Sequence, residues 1–355
     1  MRKIILCIVL IKYGIFISAQ EQCAFILEEA QEMFGIGLIE AIPDKLAPCL
    51  ESGFTKDEKL QAHKLIILAY LFDDNYEMAD NAMLAFLSEF PSYEPVATDP
   101  RVFIALMETY DTKPVLMMGG SIGLNFTVPL VTGRVGTYNF QSYHGKYVPG
   151  GAGYHGSFRV DKVIRPGMVL SGELMFANNR FDFYLDGTSE ITEFSGEITD
   201  FSQIEYYETQ NSISLPISIR YQFREGPLFT FTTIGICPGL LLSATGEGKR
   251  DYINTNFTRY NPIEVSNVNI LDKRRMFTMR AFAGFGVKYN IGPGEFFLDA
   301  RYYVDLLSQV KPGVSRYVND IAMQLFYVND NLLLTNLAIS AGYVFPIYRP
   351  KKKIE

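Results

Sequence analysis

The sequence lacks an excess of positive charge and, beyond its first residues, any long hydrophobic run. Its 355 residues carry 32 Lys and Arg against 39 Asp and Glu, a formal net charge of −7. The pI of about 5.2 argues against a general nucleic-acid-binding protein. A helix needs roughly 20 consecutive apolar residues to cross a bilayer, and past the N-terminus no such run occurs. Helical membrane spans are therefore excluded, and a hydrophobic content of 48% excludes wholesale disorder.

Histidine and cysteine are also scarce. The three His and four Cys residues show no spacing typical of a zinc site, and we predict neither a metal nor a cofactor. Glycine, tyrosine and phenylalanine are abundant instead, with 29, 22 and 27 residues. That combination is typical of a sheet-rich protein with aromatic edges.

The first residues follow the pattern of a secretory signal. Arg2 and Lys3 provide a basic start, residues 4–17 are mostly apolar, and Ala19 offers a small residue for cleavage. We therefore predict a signal peptide over residues 1–19. A short buried helix is the alternative.

Export determines what is expected of the cysteines. Cys7 leaves with the signal, and an oxidising compartment favours disulfides among the others. Cys23 and Cys49 lie in one helical segment and are a candidate disulfide pair, while two buried free thiols are the alternative. If they pair, Cys237 is left single.

Residues 20–113 show the apolar spacing of helices. Thr55 and Glu58 form a capping box in front of one of them. Residues 69–80 resemble the helix-turn-helix of a tetratricopeptide repeat (TPR), a unit that stacks into protein-binding surfaces. A plain helical bundle is the alternative. The predicted helices cover residues 23–34, 38–50, 56–72, 76–90 and 100–112.

The helical segment is strongly acidic. Residues 20–113 contain 18 Asp and Glu against 6 Lys and Arg, a net charge of −12. An acidic exported domain suits a basic protein partner better than anionic lipid or nucleic acid. We therefore predict that this domain binds proteins.

From residue 114 the apolar period changes to two, the period of a β-strand. Each predicted strand approaches the ~9–11 residues that cross a bilayer obliquely. The connections alternate between short and long without exception, as in outer-membrane barrels with short periplasmic turns and long surface loops. The predicted strands are 115–126, 151–162, 167–177, 213–224, 228–242, 277–288, 296–305 and 337–345.

The predicted fold class is α+β multidomain: an N-terminal TPR-like α-helical domain followed by an eight-stranded antiparallel transmembrane β-barrel over 114–348. Eight strands bring both chain ends to the periplasmic side of the cell outer membrane. The helical domain and a short basic tail, 349–355, are then periplasmic. The surface loop 178–212 is acidic. It is either a solvated hairpin or a site for divalent cations that bridge lipopolysaccharide phosphates.

Charged residues alternate with the apolar ones along these strands and are predicted to face inward. Both signs are present, so we expect them to pair with one another. An eight-stranded barrel is filled by its own side chains, which predicts a plugged barrel and not an open pore. The inward set is Arg159, Glu173, Arg220, Arg280, Lys288, Asp299, Arg301 and Asp305.

Three segments of the barrel region carry a family resemblance. Residues 215–223 read as a strand containing a proline, 235–239 as a glycine-containing strand, and 298–303 as an aromatic strand with an internal arginine. In this order they resemble the PorT-like outer-membrane β-barrel family of Bacteroidota, across roughly 114–348. The resemblance implies an outer-membrane barrel and a link to secretion. The helical segment looks like an N-terminal extension that is absent from the plain family.

Two functions from different classes fit this organisation. The first is a non-enzymatic anchor whose helical domain docks protein partners of a secretion or outer-membrane assembly machine, while lipid and lipopolysaccharide surround the barrel. The alternative is a surface-facing barrel enzyme, a lipid A or peptide hydrolase or acyltransferase, because His144 and His155 flank the first long loop near Ser142, Ser157 and Asp161. No nucleophile motif supports a triad. A small-solute channel would require an unfilled barrel.

Overall fold

The computed structural model describes residues 22–135, 145–191, 198–225, 228–254, 261–311, 313, 318–325 and 327–353. They form two compact units: the first reaches to Val115 and includes the chain from Tyr348 onward, and the second is Leu116–Ile347. The predicted signal peptide lies outside the described residues.

Five helices make up most of the first unit. In chain order they are α1 (22–35), α2 (Ile42–Glu51), α3 (Lys56–Phe72), α4 (Tyr76–Glu89) and α5 (Arg101–Glu108). The capping box starts α3: Thr55 Oγ1 accepts from the Glu58 N–H at 3.3 Å, and the Thr55 N–H donates to Glu58 Oε2 at 2.8 Å. No helix among the described residues is long and apolar enough to span a membrane.

Two hydrophobic clusters hold the helices together. One, around Leu27, Leu46 and Ala62, joins α1, α2 and α3. The other, around Phe86 and Phe103, joins α3, α4 and α5. The acidic segment therefore folds around its own core.

A disulfide links α1 to α2. The Sγ atoms of Cys23 and Cys49 are bonded at 2.07 Å, and both cysteines are buried in the first cluster. Cys237 is a buried free cysteine.

The strands, in chain order, are β1 (Tyr110–Asp111), β2 (Pro114–Gly133), β3 (Lys146–Pro149), β4 (Gly153–Arg165), β5 (Met168–Ile191), β6 (Ile198–Ser214), β7 (Ile217–Glu225), β8 (Leu228–Asn254), β9 (Ile263–Asn269), β10 (Phe277–Ile291), β11 (Gly294–Asp305), β12 (Asn331–Tyr348) and β13 (Lys351–Lys352).

Eight strand positions close into a ring in the second unit. The order is β2, β4, β5, β6 with β7, β8, β10, β11 and β12, and β12 pairs with β2. Strands β6 and β7 share one position because β5 pairs with β6 along 175–191 and with β7 along 168–172. Strand β8 likewise pairs with both. The predicted ring of eight strands is confirmed.

The break between β6 and β7 falls at a proline. Pro216 has no N–H to donate to a neighbouring strand. Its carbonyl accepts from the Glu173 N–H, and the Leu215 N–H donates to the carbonyl of Pro238, each at 2.9 Å. Both neighbours therefore stay bonded across the break.

Polarity in the ring is the reverse of that in a water-soluble protein. Exposed apolar side chains include Leu124, Phe158, Leu174, Ile219, Ile234, Leu298 and Ile339. Their sequence neighbours Asn125, Arg159, Glu173, Arg220, Thr233, Asp299 and Ser340 are buried. An apolar exterior around a polar interior fits a hydrocarbon surrounding, where a closed ring also pairs every backbone group.

The long connections contain more regular structure than the sequence pattern predicted. Strands β5 and β6 extend through most of the predicted loop 178–212, and β8 extends to Asn254. The prediction ended these strands where the apolar alternation ends, whereas in the structure they continue by pairing with one another.

Short elements complete a cap at this end of the barrel, opposite the short turns. Strand β3 pairs with β5, β9 pairs with β8, and α6 (Asn319–Leu325) packs on β8 and β9. We use "cap" for the described residues of 145–149, 178–212, 243–275 and 318–330. Its core includes Phe183, Leu185, Ile204, Tyr206, Leu325 and Tyr327.

The C-terminal tail is part of the helical unit. Strand β13 pairs antiparallel with β1, with Tyr110 opposite Lys352, and the Lys353 N–H donates to the Thr109 carbonyl at 2.7 Å. Lys352 Nζ lies 2.5 Å from Asp80 Oδ2, and the buried Tyr110 hydroxyl donates to Asp80 Oδ1 at 2.7 Å. The described part of the basic tail therefore contacts α4 through Lys352.

Candidate functional site

Four charged side chains form a closed network in the middle of the barrel. Arg159 Nε donates to Glu173 Oε1 at 2.9 Å, and Arg159 Nη2 donates to Asp299 Oδ2 at 3.2 Å. Arg301 Nη2 reaches the same two carboxylates, at 2.9 Å from Glu173 Oε1 and 2.8 Å from Asp299 Oδ2. All four side chains are almost completely buried. Each charge thus meets two opposite charges, which offsets the cost of burying it.

Strand register brings these residues together. Arg159 on β4 lies directly opposite Glu173 on β5, while Asp299 and Arg301 are two apart on β11 and share its inner face. All four belong to the set that alternation in the sequence predicts to face inward. The partner of each residue depends on register and on closure of the ring, neither of which the sequence states.

The other predicted interior residues are less fully paired. Arg220 Nη1 donates to Asp161 Oδ2 at 2.8 Å. Arg280 donates to Ser214 Oγ and to Cys237 Sγ. Asp305 accepts from the Leu334 N–H at 2.9 Å and from Gln309, and Lys288 Nζ lies 2.6 Å from Glu295 Oε2. Asp161, a candidate for catalysis by its position in the sequence, is thus the partner of an interior arginine.

Bulky side chains fill the barrel around the network. Met117, Phe231, Phe297 and Val344 cluster towards the short turns. Met175, Cys237, Phe282, Tyr303 and Ala338 cluster on the cap side. Beneath the cap lies a polar cavity of about 20 Å³, lined by Arg280, Asp305, Gln309 and Asn336 among others, which is room for about one water. This packing supports a plugged barrel.

A second buried ion pair lies inside the cap. Arg274 Nε donates to Glu208 Oε1 at 2.7 Å, and its Nη2 bonds both Glu208 Oε2 and Asn329 Oδ1. The Tyr206 hydroxyl donates to Glu208 at 3.0 Å and its ring stacks on Tyr327 with centroids 4.1 Å apart. Sequence reasoning missed this site because Arg274 lies in a predicted long connection, within a run of three basic residues, and its partner Glu208 is 66 residues away in the chain.

Two explanations were considered for the acidic loop 178–212. Within it Glu208 is bound to Arg274, and Glu205 accepts from the Tyr207 hydroxyl. Among the described residues no group of three or more His, Cys, Asp or Glu side chains is placed to hold a metal ion. The side chains of residues 186–202 lie outside that description.

The histidine proposed for catalysis lies inside the barrel. His155 Nε2 is 2.9 Å from Ser340 Oγ, and both residues are buried. Within the described residues the other ring nitrogen has no hydrogen-bond partner, so no carboxylate orients the imidazole as a triad requires. Ser157 instead bonds Ser121, and Asp161 pairs with Arg220. His144 and Ser142 lie outside the described residues.

The basic residues of the helical unit are largely used internally. Lys64 Nζ lies 2.6 Å from Asp99 Oδ1 and 2.5 Å from the Tyr93 hydroxyl. Burial alone would raise the pKa of the Asp99 carboxyl, but hydrogen bonds from Lys64 and Tyr93 outweigh it and lower that pKa. Lys59 similarly bonds Glu89 at 2.8 Å and lowers its pKa. Most of the remaining surface charge is therefore negative.

Comparisons with known proteins find solved structures that are similar to part of this chain. Neither a protein-family model nor a curated protein matches the chain. Similar solved structures include Ail, the attachment invasion locus protein of Yersinia pestis, at 13% identity over 65% of this chain and 99% of that one, with a TM-score of 0.25. OprG from Pseudomonas aeruginosa is 8% identical over 66% and 97%, with a TM-score of 0.30. The Escherichia coli outer-membrane protease OmpT is 10% identical over 65% and 96%, with a TM-score of 0.24.

At these TM-scores the class rests on the chain's own geometry. A closed ring of eight strand positions has an apolar exterior and a buried, charged interior, the construction of a membrane-spanning β-barrel. The chain thus combines such a barrel with a separate acidic helical unit.

Proposed function

We propose that the chain is a non-enzymatic outer-membrane β-barrel that anchors a periplasmic helical domain for binding a basic protein partner. The observation that carries the proposal is the contrast between the two units. The barrel is plugged by buried, mutually paired charges, and the helical unit has its own core and an acidic surface. A plugged barrel suits an anchor better than a channel, and an acidic helical unit suits the docking of a basic protein.

The setting we propose is an accessory subunit of an envelope secretion or outer-membrane assembly machine. The signal pattern of residues 1–19 supports export. The resemblance of 215–223, 235–239 and 298–303 to the PorT-like family of Bacteroidota supports a link to secretion. In this proposal residues 20–113 form the docking domain, and α3 and α4 build one helical hairpin within it.

Removing the docking domain tests the proposal. We expect a chain that lacks residues 20–113 to reach the outer membrane as a folded barrel but to lose the envelope proteins that copurify with the full chain. Membrane fractionation and heat-modifiable gel mobility check the barrel, and mass spectrometry of purified complexes checks the partners. Recovery of the same proteins with the shortened chain would refute docking through the helical unit. Absence of the full chain from the outer membrane would refute the anchor.

A further inference from the structure

One end of the helical unit presents aromatic and acidic side chains together. Helix α3 ends at Phe72, and α4 begins at Tyr76 after a three-residue turn. Phe34, at the end of α1, meets Phe72 edge-on with ring centroids 5.6 Å apart, so three helix ends meet here. We use "turn surface" for Phe34, Phe72, Asp73, Asp74, Tyr76 and Glu77.

Large apolar groups are left uncovered on the turn surface. Phe72 is 60% exposed and Tyr76 62% exposed, and every residue from 72 to 78 is exposed. Phe34 packs against both hydrophobic clusters of the unit. The exposed Phe72 ring contacts Phe34 and is thereby supported by the core. Adjacent exposed aromatic side chains are the anchors that protein interfaces use most.

The charge around these rings is of one sign. Residues 65–100 contain seven Asp and Glu and no Lys, Arg or His. Within the described part of the chain no Lys or Arg forms an ion pair with Asp73, Asp74 or Glu77, whereas Lys45, Lys59 and Lys64 are all engaged by other carboxylates. The carboxyl ends of α1 and α3 add partial negative charge at the same place, and the amino end of α4 adds partial positive charge, so the acidic character comes from the side chains.

Helix α4 already pairs one of its carboxylates with a lysine from an extended segment that β1 holds. Lys352 of β13 pairs with Asp80, which lies one turn beyond Tyr76 on α4. That contact is an example of an α4 carboxylate pairing with a lysine side chain. The turn surface offers more acids than the tail contact uses, together with two aromatic rings.

We propose that the turn surface docks a partner-protein segment in which Lys or Arg residues flank exposed apolar side chains. This proposal rests on the proposed docking function and names the surface and the partner's chemistry. Apolar side chains of the segment pack on Phe72 and Tyr76, and its cations meet Asp73, Asp74 and Glu77. Acidic lipid surfaces are repelled by the same carboxylates.

The test measures peptide binding to the full chain in detergent micelles by fluorescence anisotropy. Three synthetic peptides serve as probes: a cationic peptide with Arg and Lys around Leu residues, the same peptide with Glu in place of the bases, and a cationic peptide with Ser in place of Leu. We expect the first to bind at least tenfold more tightly than either of the others. Its affinity falls as salt rises.

Variants then locate the binding. Phe72→Ser with Tyr76→Ser should weaken binding of the first peptide at least tenfold, and Asp73→Asn with Asp74→Asn should weaken it and flatten its salt dependence. Glu28→Gln with Glu94→Gln removes equal charge from exposed positions elsewhere in the unit and should leave affinity unchanged. Circular dichroism at 222 nm confirms that each variant keeps its helices.

The outcomes separate this inference from the docking function itself. If only the turn-surface variants lose binding, the inference stands. If the Glu28 and Glu94 pair of substitutions weakens binding equally, or if the three peptides bind alike, the inference is overturned. Loss of partners on deletion of residues 20–113 would still support docking through another face. A second copy of the chain as occupant would appear as a concentration-dependent dimer that the turn-surface substitutions dissolve, which also overturns the inference.

Discussion

Four arginine side chains inside the barrel each lie over an aromatic ring. Measured from the guanidinium carbon Cζ to the ring centroid, the pairs are Arg159 with Phe297 at 4.1 Å, Arg220 with Phe231 at 4.6 Å, Arg280 with Tyr303 at 5.2 Å and Arg301 with Phe282 at 5.6 Å. A planar guanidinium stacks on a ring and still donates in its own plane, which a lysine ammonium does not reproduce. These cations are fixed by packing as well as by charge, so they suit a structural interior better than a conducting one.

Removing one carboxylate from the central network should destabilise the barrel strongly. Glu173→Gln leaves Arg159 and Arg301 with Asp299 as their remaining shared carboxylate, and breaking a buried pair costs about 3–5 kcal/mol. We expect the purified variant in detergent to unfold at a lower urea concentration than the unsubstituted protein. Unfolding is monitored by gel mobility. Glu264→Gln, at an exposed position of the cap, is the control and should change stability by less than about 0.5 kcal/mol. Equal midpoints for the two variants would contradict a supporting role for the network.

Acid should loosen the helical unit through Asp99. The pKa of this carboxyl is lower in the folded state than its ordinary value of 3.8, so its contribution is present above about pH 4 and is lost as the pH falls through the folded pKa. The lowered pKa of Glu89 acts in the same direction. Asp99→Asn should therefore reduce the loss of helix stability between pH 5 and pH 2, as measured by thermal melts at 222 nm. An unchanged pH dependence in Asp99→Asn would show that the pair with Lys64 does not stabilise the unit.

At the scale of elements, the sequence predicted what depends on local pattern. Helices α3 and α4 were located within a residue or two because a capping box and a polar turn mark their ends. Barrel strands were found because apolar residues alternate with polar ones. The cap was not predicted because its strands β3 and β9 are short and form by pairing with β5 and β8. No local sequence pattern indicates such pairing. Ser340 was missed as the neighbour of His155 for the same reason, being 185 residues away.

The disulfide between α1 and α2 should contribute measurably to the stability of the helical unit. Cys23 and Cys49 are separated by 26 residues. Closing a loop of that size stabilises the folded state by about 3–4 kcal/mol. We expect Cys23→Ser with Cys49→Ser to lower the melting temperature of the helical signal while leaving the gel mobility of the barrel unchanged. Cys237→Ser serves as the control for thiol loss. No change in helix stability on removing the disulfide would contradict this account.

At the scale of the whole molecule, the reversed polarity of the ring decides the class, and the position of the cap suggests an orientation. All long connections leave one end of the ring, the arrangement of outer-membrane barrels with long surface loops. The proposed orientation therefore places the cap outside the cell and the helical unit in the periplasm.

Thiol labelling of intact cells tests that orientation. Met323 is 74% exposed on α6, and Glu94 is exposed in the helical unit. We expect a membrane-impermeant maleimide to label Met323→Cys on intact cells and Glu94→Cys only after permeabilisation. Cys237 is buried and supplies the unlabelled background. The opposite pattern would reverse the orientation.

The pairing of β13 with β1 has a consequence for the order in which the protein is completed. Lys352 and Asp80 are 272 residues apart, so this contact of the helical unit forms only after the whole barrel segment between them has been synthesised. Such distant contacts form late and slowly. A chain that is interrupted within the barrel would leave the β1 edge uncovered. The helical unit thus depends for its full set of contacts on residues that follow the entire barrel in the chain.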